Sequence, residues 1–259
     1  MPAVCTLASS SKGNAAWISE GKTNILVDAG LSLRRLTQGL QALGCSPAGL
    51  DAILITHEHS DHVKGLPLLA GKTAAPIFAT RGTARTLRFQ YPQLEGRIVP
   101  FMAGESFTLG DFSVRTFPTS HDCSESVGYI LEGGGKRIVL ATDLGKATPE
   151  VYAAVVGADL LLLEANHDIE RLWMGPYPMA TKKRILSDRG HLNNEDSAQL
   201  ALHAARNGTR RMVLIHLSEE NNTPQLALSA VRAAVDREYP GQITVTAAPA
   251  QMAGEVYIL

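Results

Sequence analysis

Five times along this chain a short apolar run stops abruptly at a residue that can ionise. Asn24-Ile25-Leu26-Val27 stops at Asp28, Ile53-Leu54-Ile55-Thr56 at His57, Ile138 to Thr142 at Asp143, Leu160 to Leu163 at Glu164, and Met212-Val213-Leu214-Ile215 at His216. Runs of this length, rich in Ile, Leu and Val and bounded by polar residues, read as buried strands. Open α/β folds gather functional groups at the carboxyl ends of their strands. The pattern therefore constrains both the fold and the end of the sheets where chemistry collects. A sixth run, Phe112 to Phe117, alternates like a half-buried strand and leads through Pro118 to His121 in a loop.

One of these strand ends continues as His57-Glu58-His59-Ser60-Asp61-His62. An H-x-H-x-D-H string arises by chance in only about one such chain in a few thousand, which makes a metal site the first reading. Residues two apart on an extended chain project to the same side, so His57 and His59 can reach one ion. A helix starting immediately afterwards turns Asp61 and His62 toward a second. Each catalytic metal needs about three protein ligands and an open position, so this segment starts two coordination spheres and completes neither. Asp143 and His216 are the strongest partners, because the chain has only eight histidines. His203 falls on a helical face within Asn194 to Asn207 and is left aside. An acidic residue after a strand is more often a cap or turn residue than a ligand, and that is the expectation from position alone for Asp28 and Glu164.

Strands are expected at Val4 to Leu7, Ala15 to Ile18, Asn24 to Asp28 and Ile77 to Ala79. Hairpins are expected over Phe107 to Phe117 and Val127 to Ala141. Helices are expected at Leu31 to Leu43, Thr83 to Phe89, Pro149 to Val156, Thr181 to Ser187, Asn194 to Asn207 and Gln225 to Glu238. Two mixed sheets with helices outside make a four-layer αββα sandwich of the α/β class. A length of 259 residues, 45% of them apolar, and no low-complexity tract describe one compact soluble domain spanning 1–259. No segment reaches about eighteen consecutive apolar residues, so no membrane span is expected. The start lacks a signal-peptide pattern. Cys5, Cys45 and Cys123 share no disulfide or metal spacing, which fits a reducing cytoplasm and makes Cys123 a bystander.

The chain resembles metallo-β-lactamase-fold hydrolases, and within them the small bacterial YycJ-like (WalJ) exonucleases. The resemblance runs nearly end to end. It is carried by Leu7 to Asn14, by Ile55-Thr56 with His57 to His62, by Thr119-Ser120-His121-Asp122-Cys123, and by Thr142-Asp143. Glu164 to Asp168, Gly190-His191-Leu192-Asn193-Asn194 and Ile215-His216-Leu217-Ser218 complete it. The chain departs from the family at Ser10, usually glycine, and at Lys12, usually small. The resemblance implies that His57, His59 and His121 hold one metal and Asp61, His62 and His216 the other, with Asp143 bridging. It makes Asp28 a residue that orients the histidine loop by hydrogen bonds. Asp61 and His191 are the residues implied to act in catalysis.

Two divalent ions sharing a hydroxide suit phosphodiester hydrolysis, and equally lactam or thioester hydrolysis. The all-imidazole-and-carboxylate set is compatible with zinc, manganese or ferrous ions, and the resemblance points to manganese or zinc. It also implies nucleic acid as substrate, DNA or RNA, cut from the 5′ end of a DNA duplex. The net charge of −1 carries no basic footprint. Two metal ions would supply positive charge locally, and Lys182, Lys183, Arg184 and Arg189 cluster just before His191. His191 is expected at the scissile phosphate, where an imidazole can protonate the leaving oxygen. Ser11, Lys12 and Asn14, and also Asn166 and His167, are candidates to hold a terminal phosphate. A small-molecule hydrolase acting on thioesters or cyclic phosphodiesters is the alternative, and a closed apolar pocket would mark it. A non-catalytic binding module gives seven such residues no reason to coexist.

Overall fold

The computed structural model describes residues 1–259. The chain opens with a meander of three antiparallel strands, β1 (Ala3–Ser10), β2 (Gly13–Glu20) and β3 (Thr23–Val27), and then α1 (Leu33–Ala42) crosses to the parallel strand β4 (Ala52–Leu54). Two short helices, α2 (Ser60–Val63) and α3 (Leu66–Ala70), precede β5 (Ile77–Thr80), α4 (Arg81–Gln90) and β6 (Ile98–Phe101). The second half starts as β7 (Ser106–Leu109), β8 (Phe112–Pro118), β9 (Val127–Gly133) and β10 (Lys136–Ala141), again antiparallel. It continues through α5 (Pro149–Ala154), β11 (Leu160–Glu164), α6 (Ile169–Met174), α7 (Met179–Ile185) and α8 (Asn194–Arg206). The last elements are β12 (Arg211–Ile215), α9 (Pro224–Glu238), β13 (Thr244–Ala247) and β14 (Tyr257–Ile258).

Two seven-stranded sheets result, in the orders β14-β1-β2-β3-β4-β5-β6 and β13-β12-β11-β10-β9-β8-β7. Each is antiparallel on one side and parallel on the other, switching at β3 in the first and β10 in the second. The apolar runs read as strands because both faces of these central strands are covered. Along β4, Ile53 and the following Ile55 join a helix-side core of 25 buried residues, while Ala52 and Leu54 join the 21-residue layer between the sheets. A third core of 26 residues lies between the second sheet and α5, α8 and α9. Three apolar layers separate four structural ones, the expected αββα sandwich. Polar starts position the helices: Ser32, Thr148, Asn193 and Thr223 each accept a hydrogen bond at the first turn of α1, α5, α8 and α9.

The strand ends carry the strain of the molecule. Asp28, Asp143 and His216 are the only non-glycine residues with positive φ, at 61°, 55° and 59°. Side chains rarely adopt this conformation, which costs of order 1 to 3 kcal/mol each and is retained where the surroundings over-determine it. Two of the three sit where the sheets change from antiparallel to parallel, after β3 and β10, and the third follows β12. The left-handed turn swings each side chain back over the end of the sandwich.

Two expectations are corrected. The strands expected at Val4 to Leu7 and Ala15 to Ile18 are longer, because β1 extends to Ser10 and β2 begins at Gly13, leaving Ser11 and Lys12 as the turn of a hairpin. The pairing holds despite the unusual Ser10, whose hydroxyl accepts from the Lys12 amide and donates to Glu219. The helix expected at Thr181 starts two residues earlier and is preceded by α6, which sequence periodicity did not reveal.

Candidate metal centre

The His57 to His62 segment is held by backbone bonds that continue the sheet past its last strand. The Asp28 amide donates to Leu54 O at 2.8 Å, the Ile55 amide to Phe78 O at 2.9 Å, and the Ala29 amide to His62 O at 2.7 Å. The carboxylate of Asp28 accepts from the Thr56 amide at 2.9 Å and from the Thr56 hydroxyl. Gly30 is required here, since a Cβ on it would lie 1.6 Å from Asp61 O. Glu58, in the middle of the motif, points away from the cluster. It accepts from the Ser124 amide at 2.7 Å and the Thr83 hydroxyl at 3.0 Å, which fastens the loop carrying His121.

The seven side chains expected as ligands converge. Donor atoms of His57, His59 and His121 lie within 4.8 Å of one another, and so do those of Asp61, His62 and His216. Asp143 stands between the two groups, 3.3 Å from His62 Nε2 and 3.6 Å from both His121 Nε2 and His216 Nε2. The two groups are close enough that the His57 and His62 ring centroids are 4.3 Å apart.

The hydrogen bonding fits cations in both groups. His57 Nε2 is buried without any partner, while its Nδ1 meets the Thr56 hydroxyl at 3.1 Å. His59 Nδ1 and His121 Nε2 face each other at 3.2 Å, and His216 Nε2 and Asp61 Oδ2 at 3.3 Å. Meanwhile the opposite ring nitrogens are anchored outward. His62 Nδ1 donates to Asp28 at 2.7 Å, His121 Nδ1 to Gly190 O at 3.0 Å, and His216 Nδ1 to Glu164 at 3.1 Å. An imidazole fixed through one nitrogen by an acceptor presents the other as a lone pair, the usual arrangement behind a metal ligand.

Charge follows the same division. Burial opposes protonation of His216, but Asp143, Asp61 and Glu164 outweigh it and raise its pKa to about 10. Burial likewise opposes His62, whose pKa is nevertheless driven well above the usual value by Asp143, Asp28 and Asp61. Desolvation dominates at His57 and His121 and lowers both. Asp143 is depressed well below the carboxylate range in spite of burial, by His216, His62, His57 and His121. Without cations, protons on His62 and His216 balance the buried carboxylates.

Over the cluster lies a cavity of about 350 Å³, lined by Ser11, Lys12, His59, Asp61, Asn166 and His191, among others. His191 packs between His121 and His216, with ring centroids 4.9 and 5.1 Å away. Its Nδ1 donates to Glu164 at 2.8 Å. Asn166 lines the cavity too, and its amide donates to His216 O at 3.0 Å. Two of the expected phosphate-holding residues face elsewhere. Asn14 is buried against the cluster itself, its amide 3.2 Å from His62 Nε2 and 3.4 Å from Asp61. His167 is buried away from the cavity with both ring nitrogens unpartnered, and burial lowers its pKa to about 4.

The basic stretch before His191 is largely spent on structure. Lys182 is buried and donates to Trp173 O, Arg184 pairs with Asp122, and Arg189 donates to His121 O and Cys123 O. Lys12 is exposed but paired with Glu219 and Glu220. Cys123 is a half-buried thiol that desolvation pushes up to about 12, consistent with a bystander. Glu164 is what position alone undervalued. One of its oxygens accepts from both His191 and His216, and the other from the Leu144 amide at 2.7 Å, directly after Asp143. An acidic residue closing an apolar strand looks the same in sequence whether it caps a turn or holds two rings.

A family model described as a beta-lactamase superfamily domain matches residues 23–217. Exodeoxyribonuclease WalJ of Streptococcus pneumoniae is 40% identical over 226 residues, covering 85% of this chain and 83% of that protein. The chain belongs to the WalJ/YycJ family of the beta-lactamase superfamily. Exodeoxyribonuclease YycJ of Bacillus anthracis, a further relative, is 36% identical over 230 residues, covering 87% of this chain and 86% of its own length. The metallo-β-lactamase fold protein YhfI of Bacillus subtilis superposes with a TM-score of 0.70 at 17% identity, over 99% of both chains. The two sheets and their helices are therefore those of the metallo-β-lactamase fold, and the WalJ/YycJ family is where the His/Asp clusters are to be understood.

Proposed function

We propose that residues 1–259 act as one unit, a two-metal phosphodiesterase that removes nucleotides from the 5′ end of double-stranded DNA. The observation that carries this reading is the convergence of seven imidazole and carboxylate side chains in two adjoining groups, with His57 Nε2 buried and unpartnered among them. The substrate class comes from the exodeoxyribonuclease names of the WalJ and YycJ relatives.

His57, His59 and His121 are assigned to one ion, Asp61, His62 and His216 to the other, and Asp143 to both. Manganese or zinc suits this set of imidazoles and carboxylates. When bound, such ions lower the pKa of water toward neutrality and neutralise charge building on a phosphate. The chain supplies the rest. Asp28 and Glu164 lock His62 and His216 in one orientation. Asp61, which lines the cavity, is the carboxylate that would orient the incoming water. His191 is steered by Glu164 through Nδ1, so Nε2 is the atom offered to the substrate, and the ring in its imidazolium form gives the Nε2 proton to the leaving oxygen and is left neutral. Ser11 and Asn166 remain candidates for holding the terminal phosphate, with Lys12 joining them if a phosphate displaces its carboxylate partners.

The thioester alternative calls for an apolar pocket, whereas eleven of the thirteen residues around this cavity are polar. The deciding experiment incubates the protein with end-labelled duplex and single-stranded DNA, with and without a 5′ phosphate, in manganese or zinc. Shortening of the duplex from its 5′ end supports the reading. Intact DNA in every condition, together with turnover of a thioester, would sink it.

A further inference from the structure

Only two of the residues lining the cavity are apolar, Tyr177 and Ile185, and both come from the stretch that joins β11 to α8. Every other wall position is polar, as metal and phosphate chemistry requires. An aromatic face adds nothing to that chemistry, but it is the ordinary way proteins grip an unstacked nucleobase.

The backbone that carries Tyr177 is constrained. It lies in the turn Gly175-Pro176-Tyr177-Pro178 between α6 and α7, where each proline fixes its own φ and restricts the residue before it to extended conformations. A Cβ on Gly175 would meet Asn221 Oδ1 at 2.7 Å and Arg171 O at 2.9 Å, so the turn is seated closely against its neighbours. The buried Lys182 donates to Trp173 O at 2.6 Å and ties α7 to α6. At the far end of α7, Arg184 pairs with Asp122, whose carboxylate lies 3.4 Å from His121 Nε2. The turn and the metal cluster are thus fixed to the same frame, and little ordering cost remains when a planar group docks on the ring.

We infer that Tyr177, which shares the cavity wall with Ile185, is the stacking surface for the base of the terminal nucleotide, so that the enzyme engages a base that has left the duplex stack. The inference deepens the phosphodiesterase reading and rests on it for the identity of the ligand. The test compares DNA ends with and without that base. Anisotropy is measured on the full chain with duplexes whose terminal linkages are phosphorothioates and whose 5′ nucleotide is natural or abasic. The wild type should prefer the base-bearing end by about 5- to 100-fold, the range seen for single base–aromatic contacts. Tyr177→Phe should keep the preference, and Tyr177→Ala should bind both ends equally. Tyr177→Ala weakening both ends by the same factor would show a merely structural role and overturn the inference, as would an unchanged preference or no preference in the wild type. Cleavage of natural DNA is scored separately. A Tyr177-dependent preference without cleavage would uphold base stacking while the nuclease reading failed.

Discussion

Glu164 shows how much one buried carboxylate can organise. It orients His216, steers His191 and braces the backbone beside Asp143, so its replacement should act through all three. Glu164→Gln keeps the shape but gains a donor where acceptors are needed. It should lower metal affinity or turnover by about 10- to 100-fold, measured by metal titration and DNA cleavage in parallel. His191→Ala should separate those two readouts, retaining metal while cleavage falls by roughly 100- to 10,000-fold. Unchanged rates would remove His191 from the mechanism. The pKa of His216 makes a further demand. Raised to about 10 from 6.5, it leaves the ring protonated at pH 8 without metal, so loading must release that proton. Calorimetric titration at pH 8 in buffers of different ionisation enthalpy should detect the release. The same shift stabilises the metal-free fold fully below its unfolded pKa, and that contribution disappears as pH rises through about 10.

The turn after β3 and the short helix α2 form the element on which the site depends, and Gly30 is where they touch. Gly30→Ala should push α2 outward, lower the melting temperature by roughly 5 to 10 °C through overpacking, and weaken metal binding at Asp61 and His62. A variant with unaltered melting and metal content would show that the contact is tolerant. Strands ending in ionisable residues were legible in the sequence because β3, β4, β10, β11 and β12 are covered on both faces and so carry unbroken apolar runs. The His57 to His62 motif was legible because its spacing is specific. What escaped lies in tertiary contacts: α6 is short, without strong periodicity, and the Tyr177 turn between it and α7 acquires meaning only once it lines the cavity over the clustered histidines. The basic run before His191 misled for the opposite reason. Its charges were visible, but their partners Asp122, Trp173 O and His121 O are distant or backbone atoms.

At the scale of the molecule, two similar half-structures pack sheet against sheet, each contributing the side chains that follow its switch strand. Asp28 and Asp143 occupy matching places after β3 and β10, with matching left-handed backbones. The net charge of −1 and the pairing of Lys12 and Arg184 leave few free cations around the cavity. DNA binding should therefore depend only shallowly on salt. A log–log slope near −2 to −3, reflecting about two or three phosphate contacts, is expected from binding isotherms between 50 and 200 mM salt. The fold, the cavity and the clustered imidazoles suit divalent metal binding, and the proposed mechanism needs two ions there. Native mass spectrometry of the manganese-loaded chain tests that most directly: the account predicts about two ions per chain, with Asp143→Ala losing at least one. A wild-type chain that takes up no manganese or zinc, or that holds as many ions without Asp143 as with it, would contradict it.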